Sequence, residues 1–380
     1  MTMEAYRESK VILVKIAVIT RHAIVNYGSL LQAFATQKIL ENLGYTCKII
    51  DYIRDDESYR QLEKTLLIQK PEWNSNLLKK AIYLAIRQPE SIVSGKRFEA
   101  ERSKYLHLTK RYANLDELLK DKPIADVYMT GSDQVWGPVA NGTYDSSYCL
   151  SFTDDSDKRV AYAASFGRTE MTAETETFFR KWLSRYNQIG VREDSAVSLL
   201  DKMGISSIQV LDPTLLLDST FWSKIVQPIR YEKYVLVYQI HNDKRVGAYA
   251  AQVAKALGLP LLRVSASFHQ INREGKLIWC PTVGQFLSYI KNAECLITDS
   301  FHGTAFAINF NTPFVEVLPN NRTGTRNLSM LQMTGLSDRI LKDDKDIAFA
   351  KKKIDFHVVN QIIARKRQES LRILKDEIED

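Results

Sequence analysis

The sequence predicts an α/β protein of two parallel-sheet domains facing each other across a crevice, with a helical insertion in the first and one long helix at the end. Three observations carry this. Short apolar runs alternate with stretches of helical period along most of the chain. A strand–helix–strand unit at residues 11–53 is answered by a second series of such units beginning near residue 234. A chain of 380 residues with 45% hydrophobic content also exceeds what a single core usually holds.

The elements follow in order. Val11 to Thr20 reads as a strand. Leu31, Phe34, Ala35, Ile39 and Leu43 share one face of a helix that stops at Gly44, and Cys47 to Ile53 is the next strand. Their crossover is expected to be right-handed. Residues 57–120 turn polar and long-chained with Pro71 and Pro89 as breaks, which predicts a helical insertion without an evident strand. Strands are expected at Asp126–Thr130, Val160–Ala164, Ile189–Val191 and Ile208–Leu211, with helices at Glu174–Tyr186 and Ser195–Met203. The first Rossmann-like domain is thus assigned to residues 11–212 and the second to 218–345.

The second repeats the logic. Strand Tyr234–Ile240, helix Val246–Leu257 and strand Leu261–Val264 precede a less regular segment. Helix Val283–Asn292 then leads to CLITDSFHGTAFAINFNTPFVEVL, Cys295 to Leu318. This last stretch reads as a buried strand, a sharp turn at Thr298-Asp299-Ser300, a helix from about Gly303 to Asn309, and a strand from Phe314. Residues 356–380 carry Val359, Ile363, Leu371, Leu374 and Ile378 at helical spacing, one terminal helix.

Composition narrows the function. No apolar run approaches the ~18–20 residues of a membrane span. The first ten residues carry both charge signs and lack the pattern of an export signal, so the expected location is the cytoplasm. Four cysteines, Cys47, Cys149, Cys280 and Cys295, are widely spaced without C-x-x-C, which predicts reduced thiols and no structural zinc. The net charge of +7 is dispersed among acids, which argues against nucleic acid and suits anionic small molecules or an anionic membrane surface. The turn RHAIVNYGSL lacks both the dinucleotide and the P-loop glycine patterns, and no G-x-S-x-G elbow occurs.

The candidate site residues gather at expected strand ends. In open α/β sheets ligands sit there, where helix N-termini offer unpaired N–H groups. His302 is placed where a small anion and a proton-transfer group can meet; the competing reading is a loop histidine bonding its own backbone. Arg192 ends the run IGVRE and can grip a carboxylate or phosphate, or else pair with Glu193 or Asp194. Ser132, Asp133, Gln134 and Trp136 of GSDQVWGP can bind sugar hydroxyls and stack on a pyranose, or else form an ordinary turn with a core tryptophan. Asn26 and Tyr27 open the first helix at the mouth of the crevice. Arg322 and Arg326 offer further positive charge. His22, His107, His241, His269 and His357 show no partner pattern and read as structural.

Five segments, taken together, resemble the polysaccharide pyruvyl transferase family: NYGSLLQAFA (Asn26–Ala35), TGSDQVWGP (Thr130–Pro138), GVRE (Gly190–Glu193), VLDPTLL (Val210–Leu216) and TDSFHGTAFAINFNTPFV (Thr298–Val315). They occur in the family's order across nearly the whole chain. The resemblance implies a GT-B-like fold whose last helix crosses back to the first domain. It implies transfer of a pyruvate unit from phosphoenolpyruvate to sugar hydroxyls as a ketal, on a surface-glycan precursor such as that of a capsule or exopolysaccharide. His302 matches the family's acid/base, and Arg192 an arginine that holds the donor. Ser300, Phe301, Gly303, Thr304 and Arg326 complete the expected donor site. Asn26, Tyr27, Ser132, Asp133, Gln134 and Trp136 form the expected acceptor site. Many members read R-L-H-G where this chain reads Ser300-Phe301-His302-Gly303, so one donor arginine is absent and Arg326 or Arg322 is the candidate replacement. No cofactor or metal is implied. The expected partners are phosphoenolpyruvate and a sugar acceptor, lipid-linked in one version, with peripheral contact at the inner face of the membrane. The rivals are a nucleotide-sugar glycosyltransferase or epimerase, a non-catalytic glycan binder, and a membrane adaptor of glycan assembly.

Overall fold

The structure, a computed structural model, describes residues 13–319 and 324–379. Seven strands build the first sheet: β1 (Lys15–Ile19), β2 (Thr46–Tyr52), β3 (Leu108–Tyr112), β4 (Val127–Thr130), β5 (Lys158–Ala164), β6 (Gln188–Val191) and β7 (Ile208–Gln209). Their order is β3-β2-β1-β4-β5-β6-β7 and every pairing is parallel, with Val18 of β1 opposite both Ile49 and Met129. Five more strands build the second: β8 (Val235–Tyr238), β9 (Leu261–Ser265), β10 (Lys276–Trp279), β11 (Cys295–Thr298) and β12 (Phe314–Glu316), in the order β10-β9-β8-β11-β12, again all parallel. Parallel sheets are covered on both faces, so their central strands read as continuous apolar runs rather than alternating ones.

Two of these strands depart from the expectation. The insertion does contribute a strand, β3, whose LTKRY is largely polar. The irregular segment of the second domain contains β10, KLIW. Both lie at sheet edges, where one neighbour and partial exposure leave no strong apolar pattern to read. The first expected strand begins at Lys15 within the described residues; Val11 and Ile12 lie outside them, as does Arg322. The insertion is otherwise helical, dominated by the 29-residue helix Leu77–Tyr105.

Two helices join the halves. In Tyr27–Asn42, 13 of 16 residues are buried, and in Phe301–Phe310, 9 of 10. A helix apolar all round belongs in an interior, and these two sit between the sheets. One apolar cluster accordingly runs from Val18 and Leu31 through Trp222 to Phe306 and Leu296. Tyr27 pegs the domains: its ring stacks on Phe286 at 4.3 Å and its hydroxyl donates to the Pro281 carbonyl at 2.6 Å. The terminal helix, Phe356–Glu379, returns to the first domain. There the Leu211 N–H donates to Ser370 Oγ at 3.0 Å, and Lys158 Nζ to the Ile378 carbonyl at 2.8 Å.

Candidate active site

The N-termini of the two interdomain helices converge on one polar cavity of about 170 Å³, at the carboxyl ends of β1, β4, β8 and β11. Asn26 caps the first helix, its Oδ1 accepting from the Gly28 and Ser29 N–H groups at 2.7 and 3.3 Å. Ser300 caps the second, its Oγ accepting from Gly303 N–H at 3.2 Å. Asn26 also accepts from the Leu30 N–H, and Ser300 from the Thr304 N–H, through their carbonyls, and the positive ends of both helices address one space.

His302 stands on the first turn of the second helix, nearly buried. Its Nε2 lies 3.7 Å from Asp212 Oδ2, an ion-pair separation longer than a hydrogen bond, and has no hydrogen-bond partner in the protein. Asp212 is saturated by others: Oδ2 accepts from Arg192 Nη1 at 2.9 Å and Ser132 Oγ at 3.0 Å, and Oδ1 from the Thr214 N–H and hydroxyl at 2.9 and 2.6 Å. Burial opposes its ionisation, but the charges of His302 and Arg192 and the hydrogen bond from Thr214 outweigh burial and hold Asp212 well below the usual carboxylate range. His302 therefore sits beside a permanent anion, its buried Nε2 turned toward Asp212 without a hydrogen bond to it.

Asp133 carries the same logic. Burial is overcome by Arg192, His302 and Arg326, and its pKa falls to about 2. Ser29 Oγ donates to Asp133 Oδ2 at 2.8 Å. Gly131 makes the turn possible: it has φ +112°, and a Cβ there would meet the Tyr162 carbonyl oxygen at 2.2 Å.

Arg326 lies on the cavity wall with Nη1 4.0 Å from Asp133 Oδ1, and its buried Nε has no hydrogen-bond partner. Burial and the like charge of Arg192 pull its pKa down to about 10, which still leaves it cationic at neutral pH. It is a cation placed to take an incoming anion.

Several expected contacts fall elsewhere. Arg192 lies beneath the cavity rather than in it: its side chain is 2% exposed, Nη1 and Nη2 face Asp212 and Asp133 at 2.9 and 3.4 Å, and its guanidinium lies 4.4 Å from the Phe301 ring centre. Its fork is already filled by the protein's own carboxylates. Trp136 is a core residue, 1% exposed, packed on Phe166 and donating to the Tyr148 carbonyl at 3.3 Å. Tyr27 is the interdomain peg and lines a different, more apolar cavity. Thr304 points away to bond Glu316, and Gly303 packs on Thr298. Ser132 is wholly buried behind Asp133 and orients Asp212. Asn26, Asp133, Gln134, Ser300, Phe301, His302 and Arg326 do face the cavity together.

Sequence reasoning passed over Asp212, although its place in Asp-Pro at a strand end was visible. It also set His241 aside, yet His241 lines the cavity with Nδ1 3.3 Å from Asp299 Oδ2. Ser29, Arg21 and Asn327 complete the wall. His22, by contrast, is buried away from it, with Nε2 3.1 Å from Asp51. Among the described residues no group of three or more His, Cys, Asp and Glu is placed to hold a metal.

Comparison with known proteins fits this architecture. The chain aligns over 96% of its length, and over 99% of the other chain, with Arabidopsis thaliana UGT89C1 complexed with UDP-L-rhamnose, at 10% identity and a TM-score of 0.52. That likeness shows a GT-B-like fold and nothing about ligands. An α-glucosyltransferase in complex with UDP and DNA aligns at TM-score 0.49 and 10% identity, over 95% of both chains. A UDP-N-acetylglucosamine 2-epimerase from Rickettsia bellii aligns at 0.42 and 12%, over 95% of this chain and 98% of that one. No curated protein sequence matches the chain significantly. The polysaccharide pyruvyl transferase family model matches residues 26–322, which contain both helix caps, Asp133, Arg192, Asp212 and His302. With that match running through both domains, the chain belongs to the polysaccharide pyruvyl transferase family.

Proposed function

We propose that the protein transfers the pyruvate unit of phosphoenolpyruvate onto two hydroxyls of a glycan precursor, forming a ketal and releasing phosphate. The observation that carries this reading is the placement, in one cavity, of His302 with Arg326 and two convergent helix N-termini. Phosphoenolpyruvate presents a carboxylate and a phosphate, and the helix ends and Arg326 are the groups that receive them. His302 delivers a proton to C3 of the donor, which makes C2 electrophilic. One sugar oxygen adds to C2, the C–O bond to phosphate breaks, and the second sugar oxygen closes the ketal. Of the two hydroxyl protons, one replaces that given to C3 and the other leaves with phosphate. Asp212, fixed as an anion, stabilises the imidazolium through its charge, and Arg192 holds Asp212 and Asp133 in place.

Asn26, Asp133 and Gln134 line the acceptor side in this reading. The scheme asks for no cofactor or metal. The enzyme acts on the cytoplasmic side, on a sugar carried by a lipid, and touches the membrane peripherally; no helix among the described residues is long and apolar enough to cross one.

The test is phosphate release from phosphoenolpyruvate with a panel of lipid-linked and aryl glycosides, alongside His302→Ala and Arg326→Ala. Acceptor-dependent release that collapses with His302→Ala, with a raised KM for the donor in Arg326→Ala, supports the reading. Thermal stabilisation by nucleotide sugars and none by phosphoenolpyruvate would overturn it.

A further inference from the structure

The helical insertion presents apolar side chains to solvent on the face away from its core contacts. Leu78, Ile82, Ile86 and Val93 of helix Leu77–Tyr105 are all exposed, Leu78 by 71% and Ile86 by 58%, and Leu77 at its start by 83%. At ~100° per residue these four fall within an arc of roughly 80°. The opposite side, with Tyr83, Ser94, Phe98 and Arg102, is the buried one. Ile68 and Trp73, on the two short helices before it, are exposed as well, the Trp73 ring lying 5.9 Å from that of Tyr83. A contiguous apolar patch of this kind marks an interaction surface.

The charge along its first half is mainly basic, with Glu72 exposed and Glu90 at the groove. Residues 60–88 contain six Lys and Arg against two Glu. Of the two, Glu63 is turned inward, accepting from the Tyr83 hydroxyl at 2.9 Å and Ser91 Oγ at 2.6 Å. Arg60, Lys64 and Lys79 are exposed. An apolar ridge with a basic skirt complements an anionic bilayer surface. It does not complement itself, because a two-fold contact of this face would set the same basic residues against each other.

The ridge also leads toward the active site. Ile86 and Val93 form one wall of a groove of about 520 Å³ whose other wall is Phe268, Ile271 and Trp279 of the second domain. Glu90 borders that groove and the next cavity, of about 180 Å³, which is lined in turn by Val25. Val25 lies between Ile24 and Asn26 of the His302 cavity.

We propose that this ridge is the docking surface for an anionic lipid bilayer, seating the crevice over a lipid-linked sugar whose tail runs back along the groove. The purpose rests on the acceptor reading above, while the docking itself is measured without turnover.

The full-length protein, free of substrates, is sedimented with phosphatidylglycerol-containing vesicles and with pure phosphatidylcholine vesicles. Binding to the first, weakening as salt rises, is expected, with little binding to the second. Leu77→Asp/Leu78→Asp/Ile82→Asp is expected to lower binding by roughly ten-fold or more, with an unchanged melting temperature and unchanged turnover of a soluble acceptor. Lys79→Glu/Lys80→Glu is expected to remove the preference for the anionic lipid. Equal vesicle binding by the triple variant, or no binding by wild type, overturns the proposal. So does a concentration-dependent dimer that the triple variant abolishes, which would give the ridge to a second copy. Absence of pyruvyl transfer with intact vesicle binding would sink the reaction and leave the docking surface standing.

Discussion

Gly28 of the first domain lies directly against His302 of the second: a Cβ at position 28 would stand 2.0 Å from His302 Nδ1. The imidazole is thus held from one side by the absence of a side chain and on the other faces the Asp212 carboxylate. Gly28→Ala must push the ring out of place, since no real Cβ contact is that short. The expected result is a fall in kcat of roughly 100-fold, as for a reacting group displaced by about 1 Å, with the melting temperature little changed. Steady-state kinetics beside thermal melting check this; wild-type kcat in Gly28→Ala would refute the steric account.

Asp212 joins His302 to the buried Arg192. Asp212→Asn removes the counter-charge of Arg192 at 2.9 Å and of His302 at 3.7 Å, leaving Arg192 with weaker partners at 3.4 and 3.9 Å. Breaking one side of a buried ion pair typically costs ~3–5 kcal/mol. Chemical denaturation should show a loss of that order, and kcat should fall along with it. A variant as stable as wild type would mean that Asp133 and Glu193 suffice for Arg192.

Trp136 separates a packing role from a sugar-stacking one. Trp136→Phe trims a fully buried side chain and deletes the bond to the Tyr148 carbonyl, so a destabilisation of ~1–3 kcal/mol is expected. The KM for acceptor should stay within about two-fold, because the indole faces the core. A large rise in acceptor KM with unchanged stability would restore the stacking reading.

Glu377, on the returning helix, is fully buried with no hydrogen-bond partner for either carboxyl oxygen, and burial pushes its pKa up to about 8 from an ordinary 4.5. The folded state then holds a proton that the unfolded chain has lost. This contribution is complete below pH 4.5 and is lost as pH rises through about 8. Relative to Glu377→Gln, wild-type stability should decline across that window with a slope approaching ~1.4 kcal/mol per pH unit. Parallel curves for the two proteins would show that the carboxyl is hydrated.

How far the sequence could be read depended on the kind of signal each part carries. The central strands and the caps were legible: apolar runs such as CLIT and VLVY, and Asn26 and Ser300 ahead of their helices, are local patterns. Edge strands β3 and β10 were not, since half of each strand meets solvent or loops. The solvent-facing ridge of the Leu77–Tyr105 helix could not be told from a core face, because periodicity does not say which stripe is covered.

The sequence by itself determined the two parallel-sheet domains, the terminal helix, the family and the place of His302 at a helix N-terminus after a strand, because all of these rest on motifs contiguous in the chain. Only the tertiary structure decided which charges the site keeps for substrate. Arg192, Asp133 and Asp212 are up to 79 residues apart in sequence yet pair with one another in the fold, while Arg326 on the cavity wall makes only a 4.0 Å ion-pair contact with Asp133. The same applies to Tyr27 and Trp136, which look alike as exposed aromatics at loop motifs and are both consumed by packing. Pairing and burial are properties of the folded surroundings, and a residue's type alone does not reveal whether its hydrogen bonds are already made.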